Sequence, residues 1–344
     1  MKKYFATLLL AGAMTVGAMA QEAAQEQQLL NVDVAARFDW QNVSYDGHTD
    51  NSLSGFRANY VALRVDGSII PSLTYSWRQR LSRGTPEGSF LTQTDWLNLS
   101  WKTGPLTLSG GKQIVAIGGY EYDRTPIDLT TYSLFIYNID CFKIGVSAQY
   151  ALSQNDNLLF QISQSPGSHP GMRNIYSYNL LWSANHGCWH PIWSANMLEY
   201  TKGHYISYLA LGNRFNFGPV YLEADFINRA ASRQTFLFKD CTVAMDLGWD
   251  INSRWKVFGK WNYDVNHSGR AADITVLDGT ELNMAGAGVE FFPLRNSRRS
   301  LRLHANCFYA WGTNTNTGDL MQSKTLFVSA GLTWDMNLLA LKRK

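Results

Sequence analysis

The chain is poor in what a helical membrane protein or a disulfide-held secreted domain would need. Beyond residue 20 it has no apolar run approaching the ~20 residues of a helical span, so no later segment is expected to cross a bilayer as a helix. Cysteine is scarce: Cys141, Cys188, Cys241 and Cys307 lie far apart with no CxxC spacing, so neither a disulfide framework nor a zinc ribbon can be read from them. Cys307 falls in an alternating strand-like run and reads as a small packed hydrophobe. A surplus of one charge is also missing. Taking Lys2 and Lys3 from the 30 basic residues leaves 28 against 27 acids, a net +1 that excludes a basic surface on the scale nucleic acid requires. Proline is low while glycine and aromatics are plentiful. A membrane protein without hydrophobic helices has to be a closed barrel.

The N-terminus supplies the reason to think of a membrane. "MKKYFATLLLAGAMTVGAMAQ" opens on Lys2 and Lys3, continues apolar from about Phe5 to Met19, and carries small residues at Ala18 and Ala20. Residues 1–20 therefore read as a secretory signal peptide, cleaved after Ala20. The run is short and glycine-interrupted for a membrane anchor.

Period two dominates the rest of the chain. In "SRWKVFGKWNYDV" Trp255, Val257, Gly259, Trp261, Tyr263 and Val265 share one face, and Lys256, Lys260, Asn262 and Asp264 the other. "RSLRLHANCFYAW", "CFKIGVSAQY" and "GPVYLEADF" repeat the pattern. A soluble β-sandwich would alternate too, but its strands usually run to about five or six residues. Here they are longer and carry aromatics toward their ends, Phe142 and Tyr150 for example, as the interfacial girdles of a transmembrane barrel do. Short turns such as 102–106, 216–220 and 250–255 alternate with mostly longer polar connections near 44–56, 83–90, 117–141, 266–280 and 313–321. Short on one side and long on the other is the barrel signature. The expected fold is all-β, a transmembrane antiparallel β-barrel of about sixteen strands over residues 31–336. A short periplasmic lead-in (21–30) precedes it and a basic C-terminal tail (337–344) comes after it.

One stretch breaks the pattern. "GGYEYDRTPIDLTTYS", residues 118–133, has two glycines, a proline, three tyrosines and apolar residues at neither strand nor helix spacing. It lies between the fifth and sixth expected strands on the long-loop side, in the longest strand-free segment after the signal peptide. A long ordered loop there is expected to be functional, folding inward as the third extracellular loop and narrowing the channel. Glu121, Asp123, Arg124 and Asp128 are the candidate constriction residues, and Arg37, Arg64, Arg78, Arg80 and Lys102 the candidate lumen wall. Opposed rows of unlike charge would set up a transverse field favouring polar solutes.

The position of that loop, the "LSGGKQ" run before it, the Gly-Pro turns "TGPLTL" and "FGPVYLEADF", and the hairpin "NLLWSANHGCWHPIWSANMLEY" resemble outer-membrane porins of the phosphate-selective porin O and P superfamily. The resemblance spans essentially the whole mature chain. It implies a sixteen-stranded trimeric channel in the Gram-negative outer membrane, sometimes anion-preferring. Two features depart from it. "DMNLLALKRK" comes after Trp334 where such barrels commonly end on an aromatic, and no lysine-rich ladder is evident, so the channel is carried over and the phosphate preference is not.

Chemistry has little support. "HGCWH" sets His186, Cys188 and His190 two residues apart, but no fourth metal ligand accompanies them, and a turn between Trp-rich strands explains them better. His48, His169, His204, His267 and His304 are scattered, giving no nucleophile–base pair. "AGAGVE" lacks the helix a phosphate loop needs. No catalytic residue, metal or cofactor is expected. The expected function is a water-filled porin for passive diffusion of small polar or charged solutes with weak charge selectivity. Its partners would be the outer-membrane bilayer, small hydrophilic solutes or anions, and two further copies of the chain in a homotrimer. The alternative is a non-conducting structural or adhesion barrel. A plugged active transporter is disfavoured because "QEAAQEQQLL" is too short to be a plug.

Overall fold

In the computed structural model, residues 28–82, 90–316 and 318–342 are described. The signal peptide, the first part of the lead-in and most of the 83–90 connection lie outside them. The chain folds as one antiparallel sheet closed on itself. Its strands are β1 (Gln28–Tyr45), the two-residue β2 (His48–Thr49), β3 (Gly55–Ile70), β4 (Leu73–Arg80), β5 (Thr94–Thr103) and β6 (Leu106–Ile114), with a one-turn helix α1 (Phe90–Gln93) just before β5. Next come β7 (Phe142–Ala151), β8 (Asp156–Gln164), β9 (Tyr176–Ala184), β10 (Trp189–Thr201), β11 (His204–Phe217) and β12 (Val220–Ala231). The last are β13 (Asp240–Asp250), β14 (Trp255–Asn266), β15 (Thr280–Phe291), β16 (Leu301–Thr313) and β17 (Thr325–Lys342). Leaving β2 aside, sixteen strands pair with their sequence neighbours, and β1 pairs with β17 to close the barrel. Closure leaves no free edge, which is what lets a sheet cross a bilayer with its backbone satisfied.

The alternation sorts as the sequence indicates. On β14, Lys260, Asn262 and Asp264 are buried inside, while Trp255 is exposed outward. Leu97, Leu99 and Trp101 of β5, and Ile144, Val146 and Tyr150 of β7, form part of the apolar outer band. The inner face is polar: Ser100 meets Ser109 at 2.8 Å, and Ser163 meets Ser177 at 2.8 Å. A charge on the outer face should therefore be costly. Val146→Arg, mid-strand and outward, is expected to destabilise the barrel by about 2–4 kcal/mol in a bilayer, whereas Thr107→Arg on the inner face of β6 should change little. Equal effects in a bilayer refolding titration would overturn the assignment of faces.

Both terminal strands exceed the sequence expectation. β1 begins at Gln28 rather than 31, and β17 runs to Lys342, so residues 337–342, expected as a tail, extend the strand. The cause is mutual: Leu30, Asn31 and Val32 pair with Leu341, Ala340 and Leu339. An extended N-terminus gives the C-terminus a partner where β16 offers none, since β16 pairs with β17 only as far as Trp334.

Candidate functional site at the constriction

The connection between β6 and β7 does not stay outside. It turns into the barrel and carries α2 (Tyr120–Asp123), a short 3-10 turn (Pro126–Asp128) and α3 (Leu134–Asn138). Its entry depends on close backbone contact. Gly119 has φ 119°, a region L side chains rarely adopt. A Cβ on Gly212 of β11 would lie 2.6 Å from the Gly119 Cα, so loop and wall touch main chain to main chain. The Gly118 N–H donates to Ser194 Oγ at 2.8 Å and the Gly119 N–H to the Ile192 carbonyl at 3.2 Å. Pro126 opens the 3-10 turn, where its missing N–H costs nothing, and Ser133 caps α3 by accepting from the Ile136 N–H.

An apolar seam then holds the loop. Tyr122, Leu134, Phe135 and Ile139 pack with Leu198, Ile206, Tyr208, Ala210 and Ile227 of β10, β11 and β12 in one buried cluster. Phe135 meets Tyr208 edge to face at 5.8 Å, a favourable aromatic geometry. The lumen is thus packed with side chains on the β10–β12 side and more open toward β1 and β3.

Around that seam the charges pair. Asp225 accepts from the Tyr120 and Glu121 N–H groups at 2.8 and 2.7 Å, satisfying the free donors at the start of α2. The Glu121 carboxylate receives Lys260 Nζ at 2.5 Å, Asn262 Nδ2 at 3.1 Å, and the Ser133 N–H and hydroxyl at 3.0 and 2.5 Å. Lys260 also donates to the Thr131 carbonyl at 2.7 Å. Arg124 reaches Glu223 at 2.5 Å and Asp246 at 3.0 Å, and Asp128 meets Arg302 at 3.1 Å.

Burial by itself would push the Glu121 carboxyl up. The Lys260 ammonium and the Ser133 donors outweigh it and hold the group below the ordinary glutamate range. A depressed folded pKa means that the clamp's contribution is complete above the unfolded glutamate pKa of about 4.3 and is lost as pH falls through the folded value. The clamp is therefore expected to hold from neutrality down to that range, and a step to larger or noisier conductance that Glu121→Gln abolishes should come only in stronger acid. A Glu121-dependent transition near pH 6–7 would contradict the Glu121–Lys260 clamp.

The sequence-selected residues fall into two groups. Glu121, Arg124 and Asp128 lie on the inward loop, but Glu121 is sealed in its ion pair rather than facing open lumen. Asp123 is half-buried on the same short helix. The wall arginines do not oppose these acids. Arg37 pairs with Asp39 at 2.7 Å and donates to the Leu129 carbonyl at 2.5 Å. Arg64 pairs with Asp66 at 2.5 Å. Arg78 and Arg80 share Asp95 at 2.8 and 2.9 Å, Arg78 stacking on Trp96 and Arg80 lying over Tyr60. Lys102 is exposed beside the β5–β6 turn, at the rim. The cations that meet the loop's acids are Lys260 and Arg302, from β14 and β16. Two-residue alternation marks both as inward, but the sequence does not say which of the inward charges the loop reaches.

Between the loop and the β1–β3 wall remains a cavity of about 260 Å³. Arg37, Arg57 and Asn59 line it on the barrel side, Thr131, Tyr132 and Tyr137 on the loop side. Among the described residues no group of three or more His, Cys, Asp or Glu side chains could hold a metal. His186 instead sits in a tight turn, 3.2 Å from Asp156.

Sixteen closed strands with a helical loop lodged inside define an architecture, the closed antiparallel β-barrel of the porin fold. The family described as phosphate-selective porin O and P matches residues 30–188, and over that stretch the resemblance read from the sequence holds. Among solved structures, the anion-selective porin of Comamonas acidovorans superposes with a TM-score of 0.63 at 10% identity, over 90% of this chain and 100% of that one. The outer-membrane channel DcaP of Acinetobacter baumannii gives a TM-score of 0.63 at 10% identity, covering 92% of this chain and 100% of its own. OmpT of Vibrio cholerae, an outer-membrane protein, gives 0.59 at 12% identity over 91% and 99%. At these identities the likeness is one of fold. No curated protein matches.

Proposed function

We propose that the chain is an outer-membrane porin, a water-filled channel for passive diffusion of small polar or charged solutes with weak charge selectivity. The observation that carries this reading is the loop 115–141. It is fixed inside a closed sixteen-stranded barrel by its own apolar seam and ion pairs, narrowing the lumen and leaving a cavity on the β1–β3 side. A barrel with a structural role alone has no use for a loop anchored across its interior. Weak selectivity comes from the pairing: Glu121, Arg124 and Asp128 each meet an opposite charge, so little net potential remains at the constriction. The anion-selective porin and the outer-membrane channel among the neighbours support a channel rather than an enzyme, and a neighbour in trimer form supports a homotrimer.

Purified protein in planar bilayers is expected to give discrete, ohmic steps in potassium chloride. In a salt gradient it should show a small zero-current potential. Absence of steps from protein that shifts with heating on a denaturing gel, and is therefore folded, would favour the non-conducting barrel.

A further inference from the structure

The cavity beside the loop is built as more than a water-filled gap. Of the charged groups lining it, Arg37 is neutralised by Asp39, but two remain without an ion pair among the described residues. One is Arg57 on β3, half-buried, whose hydrogen bond goes to the Ser52 carbonyl. The other is Asp319, in the connection between β16 and β17. Its Oδ2 accepts from the Asn138 and Asn314 carboxamides, both at 3.2 Å, while Oδ1 has no partner among the described residues. No ion pair joins Arg57 to Asp319. A further lining residue, Thr131, is almost wholly buried, and its hydroxyl has no hydrogen-bond partner among the described residues. The rest of the lining is largely apolar, with Leu134, Met321 and Phe327 among it.

We infer that this cavity is a solute subsite for a small zwitterion with an apolar body, an α-amino acid with an aliphatic or aromatic side chain being the fitting class. The inference rests on the channel reading and names the solute that the channel would favour. A guanidinium offers paired donors to a carboxylate. Carboxamides that hold one oxygen of Asp319 leave the other to accept from an ammonium. Few polar groups in a mostly apolar surround are the usual makeup of a small-molecule site, and about 260 Å³ lies just below the common range of ~300–1,000 Å³, which selects a small solute over a peptide. Asp319 sits in a buried part of the wall, where an opposite charge from the solute interacts more strongly than it would in water.

The test is block of the potassium chloride current by three probes of similar body: L-phenylalanine, 3-phenylpropionate, which has the anion alone, and phenethylamine, which has the cation alone. Phenylalanine is expected to half-block at a concentration several-fold below either analogue. Arg57→Gln, which keeps an N–H donor without the charge, and Asp319→Asn, which keeps an oxygen to accept from Asn138 and Asn314 without the charge, should each raise that concentration about tenfold and bring phenylalanine level with the analogues. Half-block is read against each variant's own unblocked current, so a change in open-channel conductance does not enter the comparison. Equal block by all three probes, block by one singly charged probe as strong as by phenylalanine, or an unchanged half-block in both variants would overturn the inference. A protein that passes no chloride current at all would fail the channel reading instead, a separate and recognisable outcome.

Discussion

Glu121→Gln is expected to release the constriction loop from the wall. The carboxylate is buried with Lys260, and removing one partner of such a pair leaves an uncompensated charge at a cost of roughly 3–5 kcal/mol. Glutamine keeps one oxygen to accept and turns the other into a donor, so Lys260 keeps the Thr131 carbonyl and at best a neutral acceptor, and one of the Ser133 donors now faces an amide N–H. The barrel does not depend on this contact, because its strands pair around the whole circumference without it. The energy is therefore expected to appear as loop undocking, with larger and noisier single-channel currents and faster hydrogen exchange across 119–133. Lys260→Met should do the same from the other side. Replacing both partners removes the buried charge along with its counterion, so the double variant should cost clearly less than the sum of the singles. Additive effects, or single variants with unchanged current and exchange, would mean that the apolar seam around Phe135 alone fixes the loop.

The barrel was legible because its signals are local. Trp255 to Val265 alternate in sequence and alternate in space, since a strand puts successive side chains on opposite faces whatever its neighbours are. Turns at 103–106 and 217–220 need only their own residues. The site was less legible because its partners are far apart: Glu121 and Lys260 are 139 residues apart in the chain, and only closure of the barrel brings β14 opposite the loop. The arginine row misled for a different reason. Counting by twos puts Asp95 on the face opposite to Asn98 and Ser100, yet a register shift between Arg78 and Gln79 turns Asp95 inward, where it neutralises both Arg78 and Arg80. Asp39, two residues from Arg37 on the same face, was visible and carries the same message. The end of β17 was missed because "NLLALK" gives up alternation for an apolar run, which pairs only because β1 starts early enough to meet it.

Arg229→Met is expected to be the most damaging single change on the inner wall. Arg229 is fully buried and meets Asp240 at 2.9 Å and Asp273 at 2.7 Å, with Thr242 Oγ1 at 2.8 Å. Thr242 in turn donates to Asp264 at 2.6 Å, and Asp264 accepts from the Leu134 N–H at 2.9 Å. One guanidinium therefore ties together five elements: the strands β12, β13 and β14, the β14–β15 connection through Asp273, and the start of α3. Methionine fills much of the volume but leaves three buried carboxylates, Asp240, Asp264 and Asp273, without their cation. Breaking one buried pair costs about 3–5 kcal/mol, and this change breaks two, so the loss should reach or pass the upper end of that range. The heat-induced gel shift is expected to move to markedly lower temperature, and hydrogen exchange across 267–279 to accelerate before that of the strands. Adding Asp273→Asn to Arg229→Met removes one of the stranded charges and should restore part of the loss, whereas Arg229→Lys keeps the charge without the fork geometry and should fall between. If Arg229→Met left the gel shift unchanged, Asp240 and Asp273 would have to be held by something other than this arginine, and the coupling between the β14–β15 connection and the constriction loop would fall with it.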